Sequence, residues 1–210
     1  MYKLIARHGA GSVAVEALLA EMQLPHEVIN VTRDANMRLP EFVYKLNPVA
    51  QVPTLVLPSD EVLTESAAMM IYLADLHPEK GLSPAPNDPR RARFLRWMLF
   101  LAAAIYDSDL RMYYPQRYTT DEGAAPGIKA KAVADITREF AVLAEALGDG
   151  PYFLGDTFSA LDVYAAMLIT WAPDLDAQWT EHPNLKALHS RVAQRPLIAP
   201  VWAKNGYPAG

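Results

Sequence analysis

The stretch NPVAQVPTLVLPSDEVLTESAAMMIYLAD, residues 47–75, decides how the chain folds. Pro53 stands immediately before the apolar run Thr54 to Leu57. A proline in that place must begin a strand or sit at a bend, because its missing N–H would otherwise cost a ladder bond. X-Pro is also the one peptide bond that adopts cis cheaply. A cis Val52–Pro53 would turn the N–H and C=O of Val52 outward as a free backbone edge. Pro58-Ser59-Asp60 is turn chemistry, and Glu61 to Leu63 can return antiparallel. Glu65-Ser66 then opens a helix to Leu76, giving a helix N-terminus with a hydroxyl beside it.

Upstream, Tyr2 to Ala6 reads as a strand and RHGAGSVAVEALLAEM, residues 7–22, as a small-residue loop followed by a helix from Ser12 to Met22. Leu24-Pro25 ends that helix and His26 to Val31 reads as a second strand, which should pair in parallel with the first. Thr32 to Lys45 is polar, with a weak helical pattern from about Leu39. Gly9-Ala10-Gly11-Ser12-Val13-Ala14 fits the dinucleotide pattern G-x-G-x-x-G/A. That reading fails on context. A doubly wound fold needs more parallel strands with crossover helices, and the second strand ends at Asn30-Val31 without the acid that would hold a ribose. Two readings of the loop remain. It forms an anion seat at a helix N-terminus, or Ser12 merely caps its own helix.

Downstream, HPEKGLSPAPNDP, residues 77–89, holds four of the 17 prolines and reads as a linker. Helices follow: Pro89 to about Tyr114, Ile128 to Leu147, one starting at FSALDV, and His182-Pro183 to about Gln194. In FSALDV, Ser159 can cap, Asp162 can reach back and Phe158 can pack on Val163, a capping box with its staple.

Composition narrows the function. The chain has 210 residues, 51% apolar and 20% charged, with a formal net charge of −5. That balance argues against nucleic acid or an anionic membrane as partner. No apolar run is long enough to span a bilayer, and the N-terminus goes straight into a strand pattern, so the expected compartment is the cytosol. The chain has no cysteine, so any sulfur chemistry must use sulfur from a small molecule. Five scattered histidines without metal-ligand spacing give no expectation of a metal. Two helix starts and an outward backbone edge could hold an extended small peptide carrying a carboxylate and a sulfur.

Val52-Pro53 before the third strand, Glu65-Ser66 before the third helix, the proline-rich linker and Ser159-x-x-Asp162 resemble, in order and spacing, the cytosolic glutathione transferases. The resemblance covers essentially the whole chain. It implies a thioredoxin-like domain (βαβαββα) over residues 1–77, a linker over 78–88, and an all-helical domain over 89–210. It implies glutathione as co-substrate, a small hydrophobic electrophile as acceptor, and a homodimer. Val52 would pair its backbone with the cysteinyl part of glutathione, with Pro53 cis. Glu65 would take the γ-glutamyl amine, Ser66 its carboxylate, and Gln51 lies beside them.

At the catalytic position the chain departs from its beta-class likeness. Those enzymes resemble it with a Cys in the loop, whereas Gly11 stands there in this sequence. Ser12 is then the candidate donor to the thiolate, His8 the rival, and backbone N–H groups the third possibility. IYDSDLRMYYPQRY, residues 105–118, offers Tyr106, Arg111, Tyr113 and Tyr114 as a wall for the second substrate. The expected activity is attack of the glutathione thiolate on an electrophile. The alternatives are a non-catalytic relative that keeps the fold, or an isomerase or dehalogenase that uses glutathione without consuming it.

Overall fold

The computed structural model describes residues 1–209. The chain divides into two units, the first comprising Met1–Ala85 together with the chain from Val192 onward, the second Pro86–Arg191. The return of the C-terminal segment to the first unit differs from the boundary expected from sequence.

The first unit is built on a sheet of order β2-β1-β3-β4. β1 (Tyr2–Ala6) pairs in parallel with β2 (His26–Asn30) and antiparallel with β3 (Thr54–Val56), which pairs antiparallel with β4 (Val62–Leu63). Both faces of β1 are covered. Ile5 joins Val31, Leu39 and Val43 of α2 (Glu41–Leu46) in one cluster. Leu4 points the opposite way by strand alternation and is fully buried. α1 (Ser12–Glu21) is buried nearly all round from Ser12 to Leu19, Glu16 included, as its largely apolar sequence favours. It packs on β1, on α3 (Ser66–Leu76) and on the C-terminal helix Ala199–Lys204.

The second unit begins with α4 (Arg91–Phe100), which runs through a π-helical turn, Leu101–Ile105, into α5 (Tyr106–Tyr113). α6 (Ala125–Leu147) ends where Gly148 takes φ +62°. α7 (Ala160–Ile169) is wholly buried, and α8 (Leu175–Glu181) and α9 (Pro183–Ala193) follow, before α10, the C-terminal helix Ala199–Lys204. Sequence reading gave α1, α3, α6, α7 and α9 but not the short α8 and α10. Among the described residues no helix is long and apolar enough to cross a membrane.

Asp162 ties the start of α7 to the preceding loop. Its carboxylate accepts from Phe153 N–H (2.9 Å), Ser159 N–H (2.8 Å) and Ser159 Oγ (2.8 Å). Burial pushes its pKa up to about 6, and those hydrogen bonds oppose the rise. Asp162→Ala would leave two backbone donors unpaired in the interior, so the expected loss is about 3 kcal/mol. Urea unfolding followed by circular dichroism measures it.

Candidate functional site

The sheet register gathers the predicted glutathione-site segments of the first unit. Ile5 pairs with Thr54 in antiparallel sense, so the chain leaves β1 at Ala6 beside the point where it enters β3 at Pro53. Leu55 pairs with Leu63, so the chain leaves β4 toward Glu65 at that same end. The loop Arg7–Gly11, the pair Val52–Pro53 and the pair Glu65–Ser66 thus share one end of the sheet. The Val52–Pro53 peptide bond is cis.

Both helices that start there do so without a side-chain cap. α1 begins after Gly11 and α3 after Glu65, and neither has an acid in its first turn. Their first N–H groups and dipole ends favour an anion. Glu65 has φ +65° and ψ +105°, a conformation that L residues rarely adopt. Its side chain is exposed, Ser66 and Val52 are half-buried and Gln51 is exposed.

The loop after β1 differs from expectation at its two candidate donors. Ser12 is 1% exposed. Its hydroxyl accepts from Arg7 N–H (3.2 Å) and donates to Arg7 C=O (3.1 Å). The one hydroxyl proton is directed back at the loop itself, to Arg7 C=O. His8 is exposed, and its Nε2 donates to Lys204 C=O at 3.0 Å. Ala10 N–H turns back on Arg7 C=O at 3.1 Å, and Gly9 takes φ +64°, which its missing Cβ permits. Sequence reading missed the outer restraint on this loop. Asn205, 6% exposed, accepts the Gly9 N–H on Oδ1 at 3.3 Å. No local signal could have revealed it, since the partners lie 196 residues apart.

The four residues expected to face a second substrate lie in the second unit. Tyr106 packs edge-on to Trp171 with ring centroids 5.3 Å apart, and Tyr113, 56% exposed, donates to Trp171 C=O at 3.3 Å. Tyr114 carries the Arg117 guanidinium 4.0 Å above its ring. Arg111 is engaged within its own unit. Its guanidinium bonds Asp107 (2.8 Å), Ser108 (3.0 Å) and Asp135 (3.4 Å), so its charge is neutralised where α5 packs on α6. Among the described residues no three His, Asp or Glu side chains are grouped to hold a metal ion.

Asp109 also escaped sequence reading. It lies on α5 between Tyr106 and Tyr113, 1% exposed, with neither carboxyl oxygen hydrogen-bonded. Burial first, and Glu139 of α6 second, push its pKa well above the carboxylate range. Oε2 of Glu139 is likewise buried without a partner.

Two family models match the chain: "Glutathione S-transferase, N-terminal domain" over residues 12–76 and "Glutathione S-transferase, C-terminal domain" over residues 109–196. The chain is 30% identical to the uncharacterized GST-like protein YncG of Escherichia coli K12, over 98% of each chain. The chain belongs to the glutathione S-transferase family. It is 27% identical to the glutathione S-transferase GstA of Escherichia coli O157:H7, over 97% of this chain and 98% of that protein. Among solved structures, a glutathione transferase homolog from Sulfitobacter with bound glutathione superposes with a TM-score of 0.87 at 25% identity, covering 97% of this chain and 98% of that one. The thioredoxin-like unit and the helical unit are those of this family's fold.

Two outcomes follow from these bonds. Ser12→Ala removes both bonds to Arg7 and should cost about 1–3 kcal/mol in urea unfolding. Asp109 makes the chain's stability fall as pH rises. Its folded-state pKa is raised, so its contribution is full below the unfolded carboxyl's pKa and is lost as pH rises through the folded value. Asp109→Asn cannot ionise there and should flatten the fall in stability as pH rises above the ordinary carboxylate range, read from parallel urea titrations.

Proposed function

We propose that this member of the family binds glutathione at the end of the sheet where its three segments meet, and conjugates it through its sulfur to a small hydrophobic electrophile. The observation that carries the reading is the register: Ile5 opposite Thr54 and Leu55 opposite Leu63 bring one backbone edge and two uncapped helix starts together. These features fit an extended peptide carrying a carboxylate and a thiolate. In this reading the backbone of Val52 pairs with the cysteinyl residue of glutathione. Ser66 and the first N–H groups of α3 hold the γ-glutamyl carboxylate, Glu65 holds the amine, and Gln51 flanks the peptide.

The thiol is assigned to the first N–H groups of α1, with Ser12 and His8 holding the loop in shape. A free thiol ionises near pH 8.5, and lowering that to about 6.5 needs roughly 2.7 kcal/mol of preference for the thiolate. A charge-assisted hydrogen bond contributes about 1.5–3 kcal/mol and a helix N-terminus up to about 2. Backbone groups can therefore do this without a side-chain donor. The thiol proton leaves to solvent, and the sulfur lone pair forms a C–S bond to the electrophilic carbon. The leaving group departs with the electrons of the broken bond. The protein's part is to hold the anion and fix the direction of attack. Tyr106, Tyr113 and Tyr114 are assigned to the acceptor, and Arg111 is not.

A second reading has an observation of its own. With Gly11 at the position of the beta-class Cys, and both Ser12 and His8 bonded within the protein, the chain could bind glutathione without activating it. Calorimetry with glutathione, together with the ultraviolet thiolate band followed against pH, tests both. The transferase reading expects binding, a depressed thiol pKa that survives in Ser12→Ala, and conjugation of an activated aryl halide. Ser66→Ala should weaken binding about tenfold. Binding with an ordinary thiol pKa and no conjugation would replace it by the binding-protein reading, and no binding would overturn both.

A further inference from the structure

The loop that carries Gly9 is gripped from within by Ser12 and from outside by the far end of the chain. That outer grip is itself well anchored. Ile198, Val201 and Trp202 of the C-terminal segment are buried in the first unit, and Trp202 is 1% exposed. Lys204 Nζ bonds Glu16 of α1 at 2.7 Å, and Glu16 is itself buried. Arg195 Nε bonds Glu21 at 3.1 Å, at the other end of α1.

Onto this base the chain sets two consecutive contacts with two consecutive loop residues. Lys204 C=O takes the His8 ring at 3.0 Å, and Asn205 Oδ1 takes the Gly9 N–H at 3.3 Å. The Asn205 amide is held in one orientation, because its Nδ2 donates to Val201 C=O at 2.9 Å. The nitrogen serves the end of α10, which Asn205 caps, and the oxygen is left for the loop. Packing of α10 does not account for that oxygen, since the apolar contacts are made by Val201 and Trp202.

We infer that Asn205 is a positioning residue for the thiol seat: by holding Gly9 N–H it sets the direction of the N–H groups at the start of α1. It touches no substrate and acts through Gly9. Gly9 at φ +64° is the hinge of this device, because a residue free to leave that conformation would re-aim Ala10 and Gly11 together. The inference rests on the assignment of the thiol to this loop.

Two measurements on the full chain test it. Amide hydrogen exchange, without glutathione, reads the grip directly. Gly9 should exchange about tenfold faster or more in Asn205→Ala, with the core amides of α1 unchanged. The thiolate band of bound glutathione reads the consequence. In Asn205→Ala its apparent pKa should rise by about one unit, with a smaller effect on glutathione affinity. Unchanged Gly9 exchange, or an unchanged thiol pKa in a variant that binds glutathione, overturns the inference. If Asn205→Ala does not fold, Asn205→Ser, which removes the reach to Gly9 but keeps a polar group at the helix end, takes its place with the same expectations. Failure of the wild-type chain to bind glutathione would instead overturn the proposed function, while Gly9 exchange still decides whether Asn205 holds the loop.

Discussion

The pairing of β1 with β3 is the constraint on which the first unit depends. Parallel pairing with β2 alone would leave β1 with one edge open. The antiparallel partner brings Pro53 to the C-terminal end of β1, and the two-residue β4 then delivers Glu65 there as well. A slip of one residue between β1 and β3 would move Leu4 and Ile5 to the wrong faces, and both are buried. Core packing and site assembly are therefore enforced by the same register, and neither can change alone.

The second unit rests on buried charge and polar bonding as well as apolar contact. Arg111 sits among Asp107, Ser108 and Asp135, and Lys131 and Arg138 add their own contacts to Asp135. Asp162 is satisfied by three donors, whereas Asp109 has none. The contrast is instructive. Asp162, in the first turn of α7, reaches back to the free N–H groups before the helix, while Asp109 lies in a helix that continues from the π-helical turn and whose donors are already used. Asp109 can remain in the interior by keeping its proton.

The sequence was legible wherever local chemistry carried the information. Glu65-Ser66 and His77-Pro78 bracket α3, and structure and sequence agree on Ser66 to Leu76. The third strand and its antiparallel return were readable from Pro53 and Pro58-Ser59-Asp60. α8 was not, because seven residues give little periodicity, although Asp174 caps it through Ala177 N–H at 3.0 Å. α10 is shorter still, and its apolar side chains name no partner. The π-helical turn Leu101–Ile105 has only Leu-Ala-Ala-Ala-Ile to announce it, which an α-helix would accommodate equally. In the loop after β1, sequence showed a hydroxyl at Ser12 but could not say where its proton goes. Ser12 and Arg7 are near in sequence, yet their bond exists only once the loop has closed. Of the partners of Arg111, Asp107 stands four residues earlier on the same helix and was readable, whereas Asp135 on α6 was invisible from α5.

The first unit is discontinuous, and that bears on how the protein is made. Synthesis runs from the N-terminus, and domains generally fold as they emerge. The stretch that begins the first unit is complete after Ala85, but Trp202 and the residues around it come only after the whole second unit. α1 therefore waits, with the surface meant for α10 uncovered, while more than half of the remaining chain is translated. The second unit, an unbroken segment from Pro86 to Arg191, has no such wait. The unit that starts first is finished last.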